Sequence, residues 1–319
     1  MDATSESSRR QSRADLTWLV ALAAAMWGTS ALMREPLLGM GVPSAMIVLA
    51  EHVVLVVCAL PWLRPAVRGF LGASVHTKVA VVVIGAGSSA LATTLFTAAF
   101  AVGDPITPQV LQKLQPAFAI VLAAVILGER LRPRFWMFAV PAVAGSWFLA
   151  FDTPFAVTLD SVVAAVLAIG AALLWAAGTV LGRYVGAELA AAEVTALRFV
   201  FGLIAMVAIV GVRGDWSGIP MQGLPLVVVL ALVPGLLSLR LYYRGLRRTP
   251  ASRATLAELA FPLTAAAVGL LLGQTLVWSQ WLGFGIVLVS VTTLVLHERS
   301  RPAPAVAAPD HVQDALRAG

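Results

Sequence analysis

Two segments of this chain carry nearly the same pattern of residues. The first runs from Gln115 to Trp136 (QPAFAIVLAAVILGERLRPRFW), and the second runs from Phe261 to Trp281 (FPLTAAAVGLLLGQTLVWSQW). Each has a proline at its second position, then an apolar run of roughly ten residues, then Leu-Gly-Glu or Leu-Gly-Gln. A repeated pattern indicates a duplicated structural unit. The chain is therefore limited to architectures that are built from two similar halves.

The composition places these halves in a membrane. Hydrophobic residues make up 60% of the chain and charged residues 12%, whereas soluble domains have about 25% charged residues. A helix that crosses a bilayer needs about 20 mostly apolar residues. We predict an all-α integral membrane protein with ten transmembrane helices, at residues 16 to 33, 44 to 62, 78 to 101, 105 to 127, 135 to 151, 160 to 182, 191 to 211, 223 to 244, 251 to 273 and 277 to 296.

Lysine and arginine are distributed unequally between the predicted loops. Most of them fall on one side of the ten spans, whereas the other side receives only Arg34 and Arg213, beside Asp104, Asp152 and Asp160. Loops rich in Lys and Arg remain in the cytoplasm. We therefore predict a multi-pass protein of the cytoplasmic (inner) membrane with both termini in the cytoplasm. This topology accounts for the formal charge of +6, and we expect no nucleic-acid partner.

The duplication extends beyond the two similar segments. Pro116 and Pro262 are 146 positions apart, and Trp27 in the first predicted span corresponds to Trp175 in the sixth. Each half then contains five spans, and this odd number makes the second half enter the membrane from the opposite face. We predict two inverted five-helix repeats, an arrangement found in secondary transporters whose substrate site lies near the midplane of the membrane.

Three of these motifs resemble those of a known family. Met26-Trp27-Gly28 in the first span, the prolines Pro116 and Pro262, and Leu-Gly-Glu at the end of the fourth span are similar to the EamA domain. Two such domains in tandem resemble the ten-helix drug/metabolite transporter superfamily. The resemblance covers about residues 16 to 296 and implies a carrier of small metabolites, such as amino acids, that works as an exporter. Two positions depart from the pattern, because Gly273-Gln274 replaces Gly-Glu and Ala176 replaces the glycine of Trp-Gly.

The domain organisation follows from the repeat. We expect a cytoplasmic tail at residues 1–15, a first EamA-like repeat at 16–151, an extracytoplasmic linker at 152–159, a second EamA-like repeat at 160–296 and a disordered cytoplasmic tail at 297–319.

Polar residues recur on one face of the fourth and ninth predicted spans. Their spacing of three and four residues places them on one side of each helix, in line with Pro116 and Pro262. They are Gln109, Gln112 and Lys113 in the fourth span and Ser252, Thr255 and Glu258 in the ninth. A charged group inside a bilayer costs at least about 2.5–3.5 kcal/mol. We therefore expect these two faces to line one central substrate cavity.

The two prolines suggest a further kind of contact. Each proline removes a backbone hydrogen bond and crowds the carbonyl four residues earlier, which belongs to Gln112 or Glu258. We expect these carbonyls to be available to a ligand. The alternative is that the prolines only bend the helices for packing.

The second and seventh spans contribute a further group. Glu51 and His52 lie in the middle of the second span, and the repeat places Arg198 opposite Glu51. One interpretation is a proton-sensitive site in which Glu51 or His52 titrates and Arg198 binds a carboxylate. The other is a structural ion pair between Glu51 and a cation such as Arg198 or Lys113.

Three aromatic residues complete the predicted substrate site. Trp27 and Trp175 are matched by the repeat and lie deep within their spans. Tyr242 in the eighth span is also a candidate, although tyrosines near helix ends are often interfacial anchors.

These features favour a carrier over other membrane proteins. The four histidines form no metal-binding spacing, and no phosphate-binding Gly-x4-Gly-Lys-Ser/Thr loop is present. We therefore expect no metal or other cofactor, no enzymatic activity and no ATP-driven transport. Lys113 and Arg198 together with Glu51 and Glu258 suit a zwitterion, and we predict a secondary transporter of a small amphipathic or amino-acid-like metabolite that works by alternating access.

Several alternatives remain open at this point. Three intramembrane cations, Lys113, Arg198 and Arg240, also suit organic anions, and the superfamily includes carriers of cationic drugs. A membrane protein with an accessory role and no transport of its own is a third alternative. The expected partners are a small-molecule substrate and membrane lipid, with the proton as a candidate coupling ion.

Overall fold

The structure, a computed structural model, describes residues 15–102, 111–112, 114–129, 135–151, 153–156, 162–271, 273 and 275–299. These residues form helices and connecting loops, without a β-strand among them. Gln109, Lys113, Gln274, half of the predicted linker at 152–159 (residues 152 and 157–159) and both tails beyond these ranges lie outside the described residues. The α-helices in chain order are α1 (Thr17–Gly28), α2 (Ala31–Gly39), α3 (Ser44–Gly72), α4 (Val75–Val82), α5 (Ala92–Val102), α6 (Gln115–Leu127), α7 (Trp136–Ala150), α8 (Val162–Val185), α9 (Ala191–Arg213), α10 (Leu224–Leu230), α11 (Ser238–Leu246), α12 (Ala251–Ala257), α13 (Ala260–Leu271) and α14 (Trp278–Arg299).

Seven helical segments in the described ranges are long and apolar enough to cross a membrane. They are Ser44–Gly72, Val75–Phe96, Val162–Val185, Ala191–Arg213, Met221–Leu246, Ala251–Leu271 and Trp278–His297. Two shorter apolar helices, Gln115–Leu127 and Trp136–Leu149, accompany them. The all-α membrane class is confirmed, whereas ten crossings stay a prediction. The first predicted span is divided between α1 and α2, and the start of the fourth lies outside the described residues.

Two helix breaks lie against each other. α1 is separated from α2 by Thr29 and Ser30, and α12 is separated from α13 by Glu258 and Leu259. A Cβ atom added to Gly28 would lie 2.7 Å from the carbonyl oxygen of Phe261. Because only glycine allows so close an approach of two backbones, the glycine of the Met26-Trp27-Gly28 motif lets α1 pack directly on the start of α13.

The break beside Pro262 differs from the sequence-based expectation. The carbonyl oxygen of Glu258 accepts a hydrogen bond from the backbone N–H of Phe261 at 3.0 Å. The carbonyl is therefore not left without a donor, and its contact with a ligand stays a prediction. The chain forms a tight turn here instead of a bent helix, and the turn supplies its own donor.

Two π-helical segments interrupt the long helices on opposite halves of the chain. The first is Val83–Leu91, between α4 and α5, and the second is Ala231–Leu237, between α10 and α11. They end 146 positions apart, the same offset that separates the two repeated prolines. π-Helical turns are rare and occur often at functional sites. Both segments lie beside the cavity described below.

The Leu-Gly-Glu motif joins the two halves of the chain. Gly128 ends α6 in the left-handed conformation, with φ of 63°, and this turn places Glu129 against the start of α12. The carboxylate of Glu129 accepts hydrogen bonds from the backbone N–H of Ala251 at 2.7 Å, the backbone N–H of Ser252 at 3.1 Å and the hydroxyl of Ser252 at 2.7 Å. We call these three hydrogen bonds the Glu129 clasp.

Further polar contacts reinforce the same end of the molecule. The carboxylate of Asp15 accepts a hydrogen bond from the backbone N–H of Thr17 at the start of α1. The same carboxylate forms an ion pair with Arg253 of α12 at 2.9 Å. The buried guanidinium of Arg183 donates to the carbonyl oxygens of Leu246 and Arg247 at the end of α11. Together with the Glu129 clasp, these contacts hold α1, α6, α8, α11 and α12 together.

Candidate functional site

A central cavity of about 550 Å³ lies between helices from both halves of the chain. Among the residues predicted as a substrate site, those that line it are Trp27, Glu51, His52, Gln112, Trp175, Arg198, Tyr242, Thr255 and Glu258. The other two predicted residues, Gln109 and Lys113, lie outside the described part of the chain. The structure therefore brings the described candidates together around one space, while their contact with a substrate stays a prediction.

Glu51 has a different partner from the one expected. Its Oε2 atom forms an ion pair with Nη2 of Arg34 at 2.6 Å. Glu51 thus forms an ion pair with a cation, as one of the two interpretations held, but the cation is Arg34 and not Arg198. The break after Gly28 ends α1 early, so that Arg34 lies on the separate helix α2 and reaches α3. Sequence analysis placed Arg34 in a loop, because it treated the first span as one continuous helix.

His52 is held by its surroundings in α3. Its Nδ1 atom lies 2.8 Å from the carbonyl oxygen of Val48, so that Nδ1 carries the proton and donates it. A Cβ atom added to Gly202 of α9 would lie 2.5 Å from His52 Nε2, which shows how closely the ring packs on α9. His52 thus has a packing role in addition to its place on the cavity wall.

Arg198 is oriented by two neutral groups. Its Nε donates to the hydroxyl of Ser89 at 2.6 Å, and its Nη1 donates to the hydroxyl of Tyr243 at 2.8 Å. Ser89 lies in the first π-helical segment, and Tyr243 is buried in α11. Within the described ranges, no carboxylate oxygen lies within 4 Å of this guanidinium. A guanidinium remains charged in proteins, so Arg198 presents a positive charge to the cavity.

Glu258 lies in the break between α12 and α13. Its Oε1 accepts hydrogen bonds from the hydroxyls of Thr179 at 2.9 Å and Tyr242 at 2.8 Å, and its Oε2 accepts from Nε2 of Gln115 at 3.1 Å. No cationic group of the described residues lies within 4 Å of this carboxylate. Arg198 and Glu258 are thus a basic and an acidic side chain on one cavity, each held by neutral donors or acceptors.

Sequence analysis missed two residues that contact Glu258. Gln115 is the first residue of the repeated segment that ends at Trp136, and Thr179 follows Trp175 by four residues, on the same face of α8. A search for polar residues one turn from the matched tryptophans and prolines finds both of them. Ser89, which accepts a hydrogen bond from Arg198, was also absent from the predicted site.

Aromatic side chains form much of the remaining wall. The rings of Trp27 and Tyr242 have centroids 5.1 Å apart and an interplanar angle of 49°. The rings of Trp175 and Phe96 also have centroids 5.1 Å apart, at an angle of 64°. All four rings line the cavity. The polar groups therefore face a space that is otherwise largely apolar.

Arg240 does not belong to this cavity. Its guanidinium carbon lies 4.3 Å from the centre of the Trp62 ring, in a cation–π contact. The organic-anion alternative depended partly on this cation. Its guanidinium instead interacts with a helix surface away from the cavity.

Comparison with known proteins agrees with the fold and with the resemblance of the motifs. The model of the EamA-like transporter family matches residues 17–151 and again residues 162–296. One relative, the uncharacterized transporter YwfM of Bacillus subtilis strain 168, is 28% identical over 181 residues, which are 56% of this chain and 60% of that protein. The riboflavin transporter ImpX of Fusobacterium nucleatum is 30% identical over 161 residues, which are 49% of this chain and 54% of that protein.

The matched segments therefore span little more than half the length of these relatives. A solved crystal structure of a protein shares the fold with a TM-score of 0.71 at 19% identity, and the alignment covers 89% of this chain and 97% of that chain. The family model matches twice and covers most of the sequence. The chain belongs to the EamA-like transporter family.

Proposed function

We propose that this transporter is a secondary carrier that exports a small zwitterionic or amphipathic metabolite, such as an amino acid, by alternating access. The observation that carries the proposal is the pair of opposite charges on the cavity wall, Arg198 and Glu258. A zwitterion supplies a carboxylate to Arg198 and an ammonium group to Glu258. Binding then neutralises both charges inside the membrane, where an unpaired charge is costly.

The size and lining of the cavity agree with a small organic substrate. Small-molecule sites commonly measure about 300–1,000 Å³ and are mostly apolar with a few placed polar groups. The cavity of about 550 Å³ lies within this range, and Trp27, Trp175, Phe96 and Tyr242 give it apolar walls. An amphipathic molecule with two charged ends fits both parts of this lining.

Two inverted five-helix repeats, at residues 16–151 and 160–296, provide the framework for this mechanism. Support comes from elements of the two halves that correspond to each other. Both halves contribute a π-helical segment and a tryptophan that packs on an aromatic ring of the other half. Such repeats exchange conformations around a central site. The arginine-rich loops would place both termini in the cytoplasm, and the outward direction of transport rests on the family resemblance.

Organic anions and cationic drugs satisfy only part of the site. An organic anion would pair with Arg198 but leave Glu258 without a cation, and a cationic drug would do the reverse. Arg34 adds little positive charge, because Glu51 neutralises it. The zwitterion is therefore favoured over either alternative.

Flux into liposomes tests the proposal directly. Purified protein is reconstituted, and uptake is measured for amino acids, organic anions, cationic drugs and riboflavin, for which the Fusobacterium relative is named. We expect saturable flux of zwitterions above that of protein-free liposomes. Flux of organic anions alone would favour the anion alternative. No flux of any compound would contradict a carrier and favour an accessory role.

Glu258 is the group that we expect to couple transport to protons. Its carboxylate accepts hydrogen bonds from Tyr242, Thr179 and Gln115, and the positive charge of Arg198 also acts on it. Glu258→Gln preserves the shape of the side chain but cannot exchange a proton. We expect this variant to lose uptake driven by a pH gradient. Exchange of substrate at equal pH on both sides should remain, with weaker affinity because the ammonium group of the substrate loses its carboxylate partner.

Glu51→Gln is the matched control for proton coupling. Glu51 is already paired with Arg34, so we expect its replacement to leave the dependence on the pH gradient in place. If uptake still follows the pH gradient in both Glu258→Gln and Glu51→Gln, as in the unmodified protein, neither carboxylate couples protons to transport.

A further inference from the structure

We infer that the cavity binds a flat, unsaturated ring of the substrate against Trp27 and Trp175, and that this ring carries a hydrogen-bond acceptor. The inference rests on the proposed transport function and narrows its substrate class to ring-bearing metabolites. It depends on the aromatic side chains of the cavity, which are distinct from the charged groups discussed above.

The aromatic contacts are present twice in the same cavity. Trp27 of α1 packs on Tyr242 of α11, and Trp175 of α8 packs on Phe96 of α5, with equal centroid distances of 5.1 Å. Phe96 and Tyr242 are 146 positions apart, like the repeated prolines. Each pair therefore joins a tryptophan of one half to a ring of the other half. Tilted and edge-on arrangements of this kind fix the orientation of the indole ring.

The indole N–H groups of both tryptophans lack an acceptor among the described residues. Trp147 behaves differently, because its Nε1 donates to the carbonyl oxygen of Pro154 at 2.9 Å. An indole N–H that is removed from bulk water usually finds a hydrogen-bond partner. Trp27 and Trp175 are half-buried and line the cavity. A substrate in the cavity that carries an acceptor can therefore pair with these N–H groups in place of water.

A substrate with an aliphatic group in place of the ring would match only part of this cavity wall. It would gain from removal of its surface from water, but it would make no ring–ring contact and would accept no hydrogen bond from the indoles. A ring–ring contact strengthens binding by about two- to tenfold beyond the area that it buries. With two tryptophans on the wall, a ring with an acceptor is preferred over an aliphatic group of similar size by about tenfold or more.

Three amino acids with the same charged ends separate these contributions. L-leucine lacks a ring, L-phenylalanine has a ring without an acceptor, and L-tyrosine has both. Dissociation constants are measured from the rise in melting temperature of the purified protein in detergent. We expect tyrosine to bind about tenfold more tightly than leucine, with phenylalanine between them. Equal affinities for leucine and tyrosine would overturn the inference, while the proposed transport of zwitterions would stand.

Variants of the two tryptophans test where the preference originates. Trp27→Leu and Trp175→Leu are each expected to reduce the preference for tyrosine over leucine by about threefold or more. Trp27→Phe and Trp175→Phe keep a ring in place and are expected to lose only the preference for tyrosine over phenylalanine. Trp278→Leu is the control, because Trp278 is 72% exposed, and its preferences should be unchanged. A preference that survives in both leucine variants would contradict the assigned contacts.

Riboflavin distinguishes a failure of this inference from a failure of the proposed function. It presents a flat ring with acceptors but no zwitterionic end. One outcome is that none of the three amino acids binds, whereas riboflavin raises the melting temperature and both leucine variants abolish that rise. This outcome would support the ring contact and contradict the proposal of a zwitterionic substrate. If neither riboflavin nor any of the amino acids raises the melting temperature, the ring contact is overturned as well.

Discussion

Replacement of Arg198 with glutamine is expected to weaken binding of a substrate carboxylate by about 100-fold. Loss of one partner of a buried, hydrogen-bonded charge pair costs about 2–5 kcal/mol, and about 2.7 kcal/mol corresponds to that factor. The unliganded protein should tolerate the change, because its described part places only Ser89 and Tyr243 in contact with this guanidinium. Dissociation constants from thermal-shift titration and initial rates of uptake into liposomes measure the effect.

Two further arginine variants make this result specific. Arg198→Lys keeps the charge but cannot donate to Ser89 and Tyr243 in the same fork, so we expect an affinity between those of Arg198→Gln and the unmodified protein. Arg240→Gln removes a positive charge that interacts with Trp62, away from the cavity, and should bind substrate normally. Normal affinity in Arg198→Gln, or equal losses in Arg198→Gln and Arg240→Gln, would contradict the assigned role of Arg198.

Gly283→Ala is expected to destabilise the protein by about 2–3 kcal/mol. The new Cβ atom would lie 2.4 Å from the backbone nitrogen of Leu149 and 2.6 Å from the carbonyl oxygen of Gly145. Both atoms belong to the backbone of α7, so no side chain can rotate away, and α14 must move outward. Insertion of an atom into a packed interior typically costs about 1–3 kcal/mol. The melting temperature of the purified protein measures the loss.

Gly285→Ala is the matched control in the same helix. Gly285 has no heavy atom within 4 Å of an added Cβ. Alanine is a better helix former than glycine by about 1 kcal/mol, so we expect the melting temperature to stay constant or to rise slightly. Equal melting temperatures for Gly283→Ala and Gly285→Ala would contradict the close packing of α7 on α14.

Helical periodicity explains which parts of the site were predictable from sequence. Gln112, Thr255 and Glu258 share helical faces with repeated prolines, and all three line the cavity. A spacing of three and four residues predicts one shared face. The turn at Glu258 and Leu259 interrupts the helix, but both Thr255 and Glu258 still line the cavity. The fold class was predictable for a related reason, since long apolar segments in a bilayer must form helices that satisfy their own backbone hydrogen bonds.

The contacts across helices were not predictable in the same way. Arg34 reaches Glu51 only because α1 stops at Gly28, and hydropathy alone does not report such a break. Gln115 and Thr179 reach Glu258 from two other helices. These contacts depend on how α6, α8 and α12 pack together. These contacts cannot be predicted without a structure, because the sequence does not give the depth in the membrane at which one helix crosses another.

The Glu129 clasp has a consequence for the proposed transport cycle. A carrier that works by alternating access must separate α6 from α12 whenever this end of the molecule opens, and all three hydrogen bonds of the clasp then break. A hydrogen bond to a charged group contributes about 1.5–3 kcal/mol, and about 1.4 kcal/mol changes an equilibrium tenfold. In the proposed cycle, the carboxylate of the Leu-Gly-Glu motif would therefore favour the conformation in which this end is closed by about tenfold or more, without contact with the transported molecule.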